Sequence, residues 1–247
     1  MRAVLMAGGQ GSRLRPLTEH LPKPLLPVGG RPIMEHVLRL LRRHGIEETV
    51  VTVHYLAELI EREYGDGTRL GMSLSYVHED RPLGTAGSVK AAEGLLGGEP
   101  FLVISGDALT DVDLTELVRR HRERRALVTV CLTEVADPSQ FGIATLGPDG
   151  RIERFLEKPG PGEAFSRTAS TGIYVMQPEV LRYVSGTGPA DWARDVFPRL
   201  LAEGLPVYGH VAEGYWEDVG THAAYARAQQ DVVRGLVDVG DAEPVAA

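Results

Sequence analysis

One cysteine, three lysines and no asparagine occur in 247 residues. The lone Cys131 excludes an internal disulfide and fits a reducing compartment, the cytoplasm. It lies in Leu127-Val128-Thr129-Val130-Cys131-Leu132, an apolar run that reads as a strand, so a structural thiol is expected and not a nucleophile. No run of about 18 apolar residues occurs, which excludes a membrane-spanning helix. The opening Met1-Arg2-Ala3-Val4-Leu5 has neither the charged leader nor the long apolar stretch of a signal peptide. A basic excess is missing too: 26 Lys+Arg against 34 Asp+Glu leave a net charge of −8, which argues against nucleic acid or an anionic membrane as partner. The one basic run, Arg119 to Arg125, falls at a helix C-terminus, where it complements the helix dipole. The eight histidines show no metal-ligand spacing, and His36 and His44 are expected on the solvated side of a helix.

What is present is the composition of a globular chain, 43% hydrophobic and 24% charged. Short apolar runs at Arg2–Met6, Thr49–Val53, Ser73–Val77 and Phe101–Ser105 alternate with helical patterns at Arg31–His44, Leu56–Glu63, Thr85–Leu96 and Asp113–Arg124. Pro32 is placed for a first helical turn, and Asp113 with Glu116 fits a capping box. Strand–helix alternation predicts an α/β fold: a Rossmann-like, mixed and mostly parallel central sheet flanked by helices. Beyond Ala126 strands become denser (Leu127–Thr133, Gly142–Leu146, Thr171–Met176, Val207–Val211), with closing helices at Asp191–Glu203 and Thr221–Val233. No linker composition divides the chain. One domain over 1–236 is expected, with one lobe at about 1–112, a second at 113–236, and a frayed tail at 237–247.

Arginine outnumbers lysine 23 to three, so a surviving lysine marks a place where a compact ammonium is wanted. Two of the three, Lys23 and Lys158, lie in proline-bounded loops. Upstream of Lys23 runs Leu5-Met6-Ala7-Gly8-Gly9-Gln10-Gly11-Ser12-Arg13-Leu14, a glycine-rich loop leaving a strand, able to turn backbone N–H groups toward a phosphate. Leu14 stands where a dinucleotide fingerprint needs a third small residue, and no Gly-Lys-Ser/Thr follows, so neither that fingerprint nor a Walker loop is met. A plain strand-to-helix turn explains the glycines but not Arg13 and Arg15 beside them.

These segments, with Pro22-Lys23-Pro24-Leu25-Leu26-Pro27, Pro82-Leu83-Gly84-Thr85-Ala86-Gly87, Ser105-Gly106-Asp107, Phe141-Gly142-Ile143, Phe155-Leu156-Glu157-Lys158-Pro159, Thr171-Gly172-Ile173 and Tyr215-Trp216-Glu217-Asp218-Val219-Gly220, resemble the signature of the sugar-1-phosphate nucleotidylyltransferases. Within that family the text is most similar to the mannose-1-phosphate guanylyltransferase group of high-GC bacteria. The resemblance implies an Mg²⁺-dependent enzyme that moves a nucleotidyl group from an NTP to a sugar-1-phosphate. Arg13 would hold the triphosphate, and Lys23 would approach the α-phosphate. Asp107 and Asp218 would hold Mg²⁺, with Asp107 also catalytic. Leu5, Ala7, Gly8, Gly9, Gly11, Ser12, Arg13, Glu79, Gly84 and Thr85 would form the nucleotide side. Gly142, Glu157, Lys158 and Thr171 would form the sugar-phosphate side. Helix capping is the competing explanation for Asp107, though Asp113 is better placed for that job, with Asp111 to spare; for Asp218, just before the last helix, capping is again the competing explanation. Ser170 departs from the family, which usually has Asn before the Thr-Gly pair.

Glu79 falls where thymidylyl-transferring relatives carry a base-reading glutamine. Guanine presents N1–H and N2–H₂ as adjacent donors, which an acceptor-only carboxylate suits, whereas uracil and thymine present carbonyls that it repels. GTP is therefore the expected donor, with a solvated Glu79 as the alternative. Mannose-1-phosphate is the expected acceptor. Glucose-1-phosphate thymidylyl or uridylyl transfer, a cyclitol phosphate, and a non-catalytic regulatory paralogue are the competing readings. The chain lacks the hexapeptide-repeat tail of some relatives, so a homo-oligomer, dimer or tetramer, would rest on the catalytic domain.

Overall fold

The fold is that of a computed structural model describing residues 1–186 and 188–240. At its centre lies β1 (Arg2–Met6). Ala3, Val4 and Leu5 are all buried, as a strand covered on both faces requires. A glycine loop and two single 3₁₀ turns (Ser12–Leu14, Lys23–Leu25) lead to the ribbon β2 (Pro27–Val28) and β3 (Arg31–Pro32). Then follow α1 (Ile33–Arg43), β4 (Glu48–Val53), α2 (Ala57–Tyr64), β5 (Ser73–His78), α3 (Gly84–Ala91), β6 (Phe101–Ser105), β7 (Ala108–Thr110) and α4 (Leu114–Glu123). The later half contributes β8 (Val128–Glu134), β9 (Gly142–Leu146), β10 (Ile152–Glu157), β11 (Thr168–Met176), α5 (Phe197–Ala202), β12 (Val207–Val211), β13 (Trp216–Asp218) and α6 (His222–Val233).

The strands β5, β4, β1 and β6 lie side by side and parallel. Next to β6, β11 runs antiparallel and forks the sheet, pairing with β8, which carries β12, and with β9, which carries β10. The sheet is thus mixed, with parallel central strands flanked by helices. The pairing of β11 with β8 breaks register between Ser170 and Tyr174, and that break swings Ser170, Thr171 and Gly172 over the end of β6. Both large apolar clusters draw residues from either side of position 112, among them Leu5 with Val175 and Val4 with Val207.

Several expectations are corrected. The helix expected from Arg31 starts at Ile33, because Arg31 and Pro32 pair with Val28 and Pro27; Pro32 is extended and stands just outside the first turn. The helix expected over Thr85–Leu96 stops at Ala91 and finishes as a 3₁₀ turn around Gly94. The helix expected from Asp191 opens as a π-turn, Trp192–Val196. Strand β10 was not expected at all. His36 is buried, not solvated, and its Nε2–H donates to the Val28 carbonyl at 2.9 Å. The tail is anchored beyond 236. Val237 packs with Leu14 and Val219, the Asp238 N–H donates to Asp111 Oδ2 at 2.8 Å, and Arg43 pairs with Asp238. Residues 241–247 of the expected frayed segment lie outside the described residues. Among the described residues no helix is long and apolar enough to cross a membrane.

Candidate active site

Ligands of open α/β sheets bind beyond the carboxyl ends of the parallel strands, and a cleft of about 330 Å³ lies there. Gly106 leaves β6 so close to β1 that its N–H donates to the Met6 carbonyl and a Cβ would sit 2.6 Å from Leu5 Cδ2. Asp107 is thereby placed just past the sheet edge. The ribbon of β7 with β13 sets Asp218 opposite Ala108, which brings the two aspartates together from distant parts of the sequence.

Lys23 stands between them. Its Nζ lies 2.7 Å from Asp107 Oδ2 and 3.2 Å from Asp218 Oδ1, on a side chain only 7% exposed. The Ser105 hydroxyl donates to Asp107 Oδ1 at 2.5 Å. Burial works against each charge, yet the paired charges win. Asp107 is held below the usual carboxylate range by Lys23 and Ser105, and Lys23 is held above its ordinary value by both aspartates. Arg13 is the exposed cation of the group: its side chain is over half exposed, and its guanidinium lies 3.9 Å from Asp218 Oδ2. Among the described residues no three His, Cys, Asp or Glu converge as a complete metal cage. Two carboxylates already spaced around one cation do fit a small divalent ion that also takes oxygens from phosphate and water.

The glycine loop is welded to the Lys23 turn. Gly11 has φ +60°, and a Cβ there would lie 3.0 Å from both Lys23 Cβ and Thr18 Cγ2. Behind the loop is a single 3₁₀ turn, Ser12–Leu14, and not a long helix. Gly8 passes close to Glu79, Gly9 has open space around it, and Ser12 opens the 3₁₀ turn. Leu5 and Ala7 belong to the framework. Leu5 is fully buried beneath Gly106, and the Ala7 N–H is bonded to the Thr52 carbonyl. Gly84 (φ +73°) lets the Pro82–Gly87 loop close on the Ala190 carbonyl, which a Cβ would approach to 2.5 Å.

At the other end of the cleft, Glu157 faces Gly142 in the β9–β10 register, and a Cβ on Gly142 would lie 2.8 Å from Glu157 Oε2. Lys158 follows in a left-handed conformation (φ +48°), its N–H bonded to the Phe141 carbonyl and its Nζ 3.8 Å from Glu157 Oε1. Burial first, and then the Asp191 carboxylate, raise the Glu157 carboxyl above its ordinary value. Asp191, read from sequence only as a helix start, accepts the Thr85 hydroxyl at 2.8 Å, so Thr85 lines this end of the cleft as well. The Thr171 hydroxyl is committed to the Cys131 carbonyl at 3.0 Å, and the Trp216 indole N–H donates to the Thr171 carbonyl. Thr171 is buried and lines the cleft together with Trp216, which packs edge-to-face on Phe141. Gln140, Tyr174 and Asp191 were not foreseen there. Asp191 comes from a segment that the sequence marks only as the start of a closing helix.

Glu79 is 8% exposed, so the solvated alternative fails. Its Oε2 accepts the Leu83 N–H at 3.1 Å, and its Oε1 is buried without a partner. A Cβ on Gly8 would lie 3.5 Å from that oxygen, so the unpaired acceptor is turned toward the glycine loop.

The chain is 38% identical over 235 residues to mannose-1-phosphate guanylyltransferase of Mycobacterium tuberculosis, covering 95% of this chain and 65% of the relative. It is 37% identical over 250 residues to UTP–glucose-1-phosphate uridylyltransferase of Synechocystis, covering 96% and 63%. The chain thus spans just under two thirds of the length of these relatives. Among solved structures, a protein of Bacillus anthracis described as a glucose-1-phosphate thymidylyltransferase superposes with a TM-score of 0.86 at 28% identity, over 98% of both chains. A UDP-glucose pyrophosphorylase complexed with UDP-glucose shares the fold, with a TM-score of 0.83 at 20% identity over 95% of this chain and 98% of its own. The profile of the nucleotidyl transferase family matches residues 2–235, and the chain belongs to that family.

Proposed function

We propose that this chain transfers a nucleotidyl group from GTP to mannose-1-phosphate with Mg²⁺, giving an NDP-sugar and pyrophosphate. The observation that carries the reading is the Lys23 ammonium held between Asp107 and Asp218, with Arg13 beside it and Glu157 and Lys158 across the same cleft. An oxygen of the sugar-1-phosphate forms a bond to the α-phosphorus while the bond to the β-phosphate oxygen breaks, and that oxygen leaves with the electron pair as pyrophosphate. Such a transfer needs alignment and charge neutralisation more than covalent help. Lys158 and Arg13 hold opposite reactants, and Glu157 accepts from sugar hydroxyls. Lys23 moves from its carboxylate partners to the α-phosphate, where negative charge is redistributed. Asp107 and Asp218 would hold the metal, which supplies charge neutralisation between the two polyanions.

GTP is favoured because Glu79 keeps one acceptor oxygen free beside the loop. In this reading the nucleotide binds in about 1–112 and the sugar phosphate in 113–236, in a cytoplasmic homo-oligomer of two or four copies. Pyrophosphate release should be measured for GTP, UTP, dTTP, ATP and CTP against mannose- and glucose-1-phosphate and a cyclitol phosphate. GTP with mannose-1-phosphate should give the highest kcat/KM, and Glu79→Gln should lower GTP use at least tenfold while pyrimidine use holds or rises. No turnover in any pairing overturns the catalytic reading in favour of a regulatory paralogue. A parent that prefers UTP or dTTP overturns the guanylyl assignment alone.

A further inference from the structure

His54 follows the last residue of β4 and stands beside Glu79 without any part in the chemistry above. Its Nδ1 lies 2.7 Å from the Glu79 carbonyl oxygen. A carbonyl only accepts, so Nδ1 carries the hydrogen and the tautomer is fixed by the contact. The Glu79 N–H donates to the Val53 carbonyl at 2.9 Å. Residue 79 is therefore held at both backbone groups by two consecutive residues, the second hold being a side chain. A Cβ on Gly8 would lie 3.4 Å from His54 Cβ and 3.5 Å from Glu79 Oε1, so one point of the glycine loop faces both. Beyond Glu79 the chain runs Asp80-Arg81-Pro82 without regular structure, so the Glu79–Asp80 peptide has no strand partner to fix its plane.

A buried carboxylate oxygen without a donor is costly, and a fold keeps one where a ligand supplies the donors. It stays pointed at that ligand only if its backbone cannot turn. We propose that His54 is a positioning residue for base selection. Its Nδ1–H fixes the Glu79 carbonyl and so keeps the Glu79 carboxylate aimed at the edge of the purine. The inference rests on the reading of Glu79 as the base reader. His54 itself need not touch the nucleotide.

The geometry supplies its own control. The side-chain amide nitrogen of asparagine reaches the position of histidine Nδ1, so His54→Asn keeps the donor. His54→Leu removes it, and His54→Asp puts an acceptor against the carbonyl. For each variant, kcat/KM should be measured with GTP and with UTP on one sugar-1-phosphate, alongside the melting temperature. His54→Leu and His54→Asp should each lower the GTP-to-UTP ratio about tenfold or more, mainly through the KM for GTP, and His54→Asn should restore it to within about threefold of the parent. Equal losses for both nucleotides, an unchanged ratio, or failure of asparagine to rescue would overturn the proposal. If His54→Leu does not fold, the asparagine–aspartate pair decides alone. A shift in ranking on Glu79→Gln without one in the His54 variants sinks His54 and leaves Glu79 standing; a parent without GTP preference sinks both.

Discussion

Lys23 holds a place that two different partners want. Its ammonium neutralises Asp107 and Asp218 at 2.7 and 3.2 Å, in the place where the proposed divalent ion would sit. A cation held there competes with the metal, so Lys23→Gln should bind Mn²⁺ at least several-fold more tightly without nucleotide, read by Mn²⁺ paramagnetic resonance, while turnover falls by about 10²-fold or more. Unchanged or weaker Mn²⁺ binding would show that the lysine does not guard the site. Arg13, over half exposed and 3.9 Å from Asp218, has no such buried pairing. Arg13→Ala should cut kcat about 10²-fold in steady-state assays, with a much smaller change in KM and in melting temperature. These charged residues were legible in the sequence because scarce lysine and unexplained arginine beside glycine stand out as chemistry. Ala7 and Thr171 fall in the same motifs, yet the Ala7 N–H and the Thr171 hydroxyl are committed to the Thr52 and Cys131 carbonyls respectively. A motif marks a neighbourhood; whether a given side chain faces the ligand depends on hydrogen bonds that only the fold reveals.

Elements with a strong period were legible almost to the residue: β1, β6, β9 and β12 run between the boundaries that their apolar runs suggest. Strand β10 escaped because Ile152-Glu153-Arg154-Phe155-Leu156-Glu157 is charged on an edge strand, with a register shift between Ile152 and Arg154. Helix α4 shows both outcomes. Its Asp113 cap is present, accepting the Glu116 N–H at 3.0 Å, but the Glu116 side chain turns to Arg119 and Arg120, so the box closes on one side only. The same helix buries His121 between Thr129 and Gln177. Burial, and then Arg122, push that imidazole down to about 4, so it folds neutral. The unfolded chain takes up a proton near pH 6.5 that the folded chain refuses until about 4, so stability falls as pH drops through that window. The loss is of order 3 kcal/mol at its acid end. His121→Gln should therefore flatten the fall in melting temperature between pH 7 and pH 4.5, whatever it costs at neutrality.

Across the whole molecule, the segment that follows α6 closes onto Asp111 and α1. Asp111 accepts the Tyr215 N–H with one oxygen and the Asp238 N–H with the other, and Arg31 and Arg43 reach Val239 and Asp238 from α1 and its approach. Asp111→Ala leaves two backbone donors without partners. It should cost about 1–3 kcal/mol in denaturant unfolding and hasten tryptic cleavage at Arg234. Unaltered cleavage would mean that Val237 packing alone secures the segment. Nothing in the local pattern at Asp111 announces this, because both partners lie more than a hundred residues away in the chain.

That long reach also orders events in time. Asp107 acquires its neighbour only when Trp216–Asp218 anneals along Ala108–Thr110. A nascent chain can lay down its parallel strands and glycine loop early, but its pair of carboxylates stays incomplete until synthesis is almost through β13. The carboxylate pair is therefore a product of folding across distance: no stretch of chain that stops short of Trp216–Asp218 can hold both members.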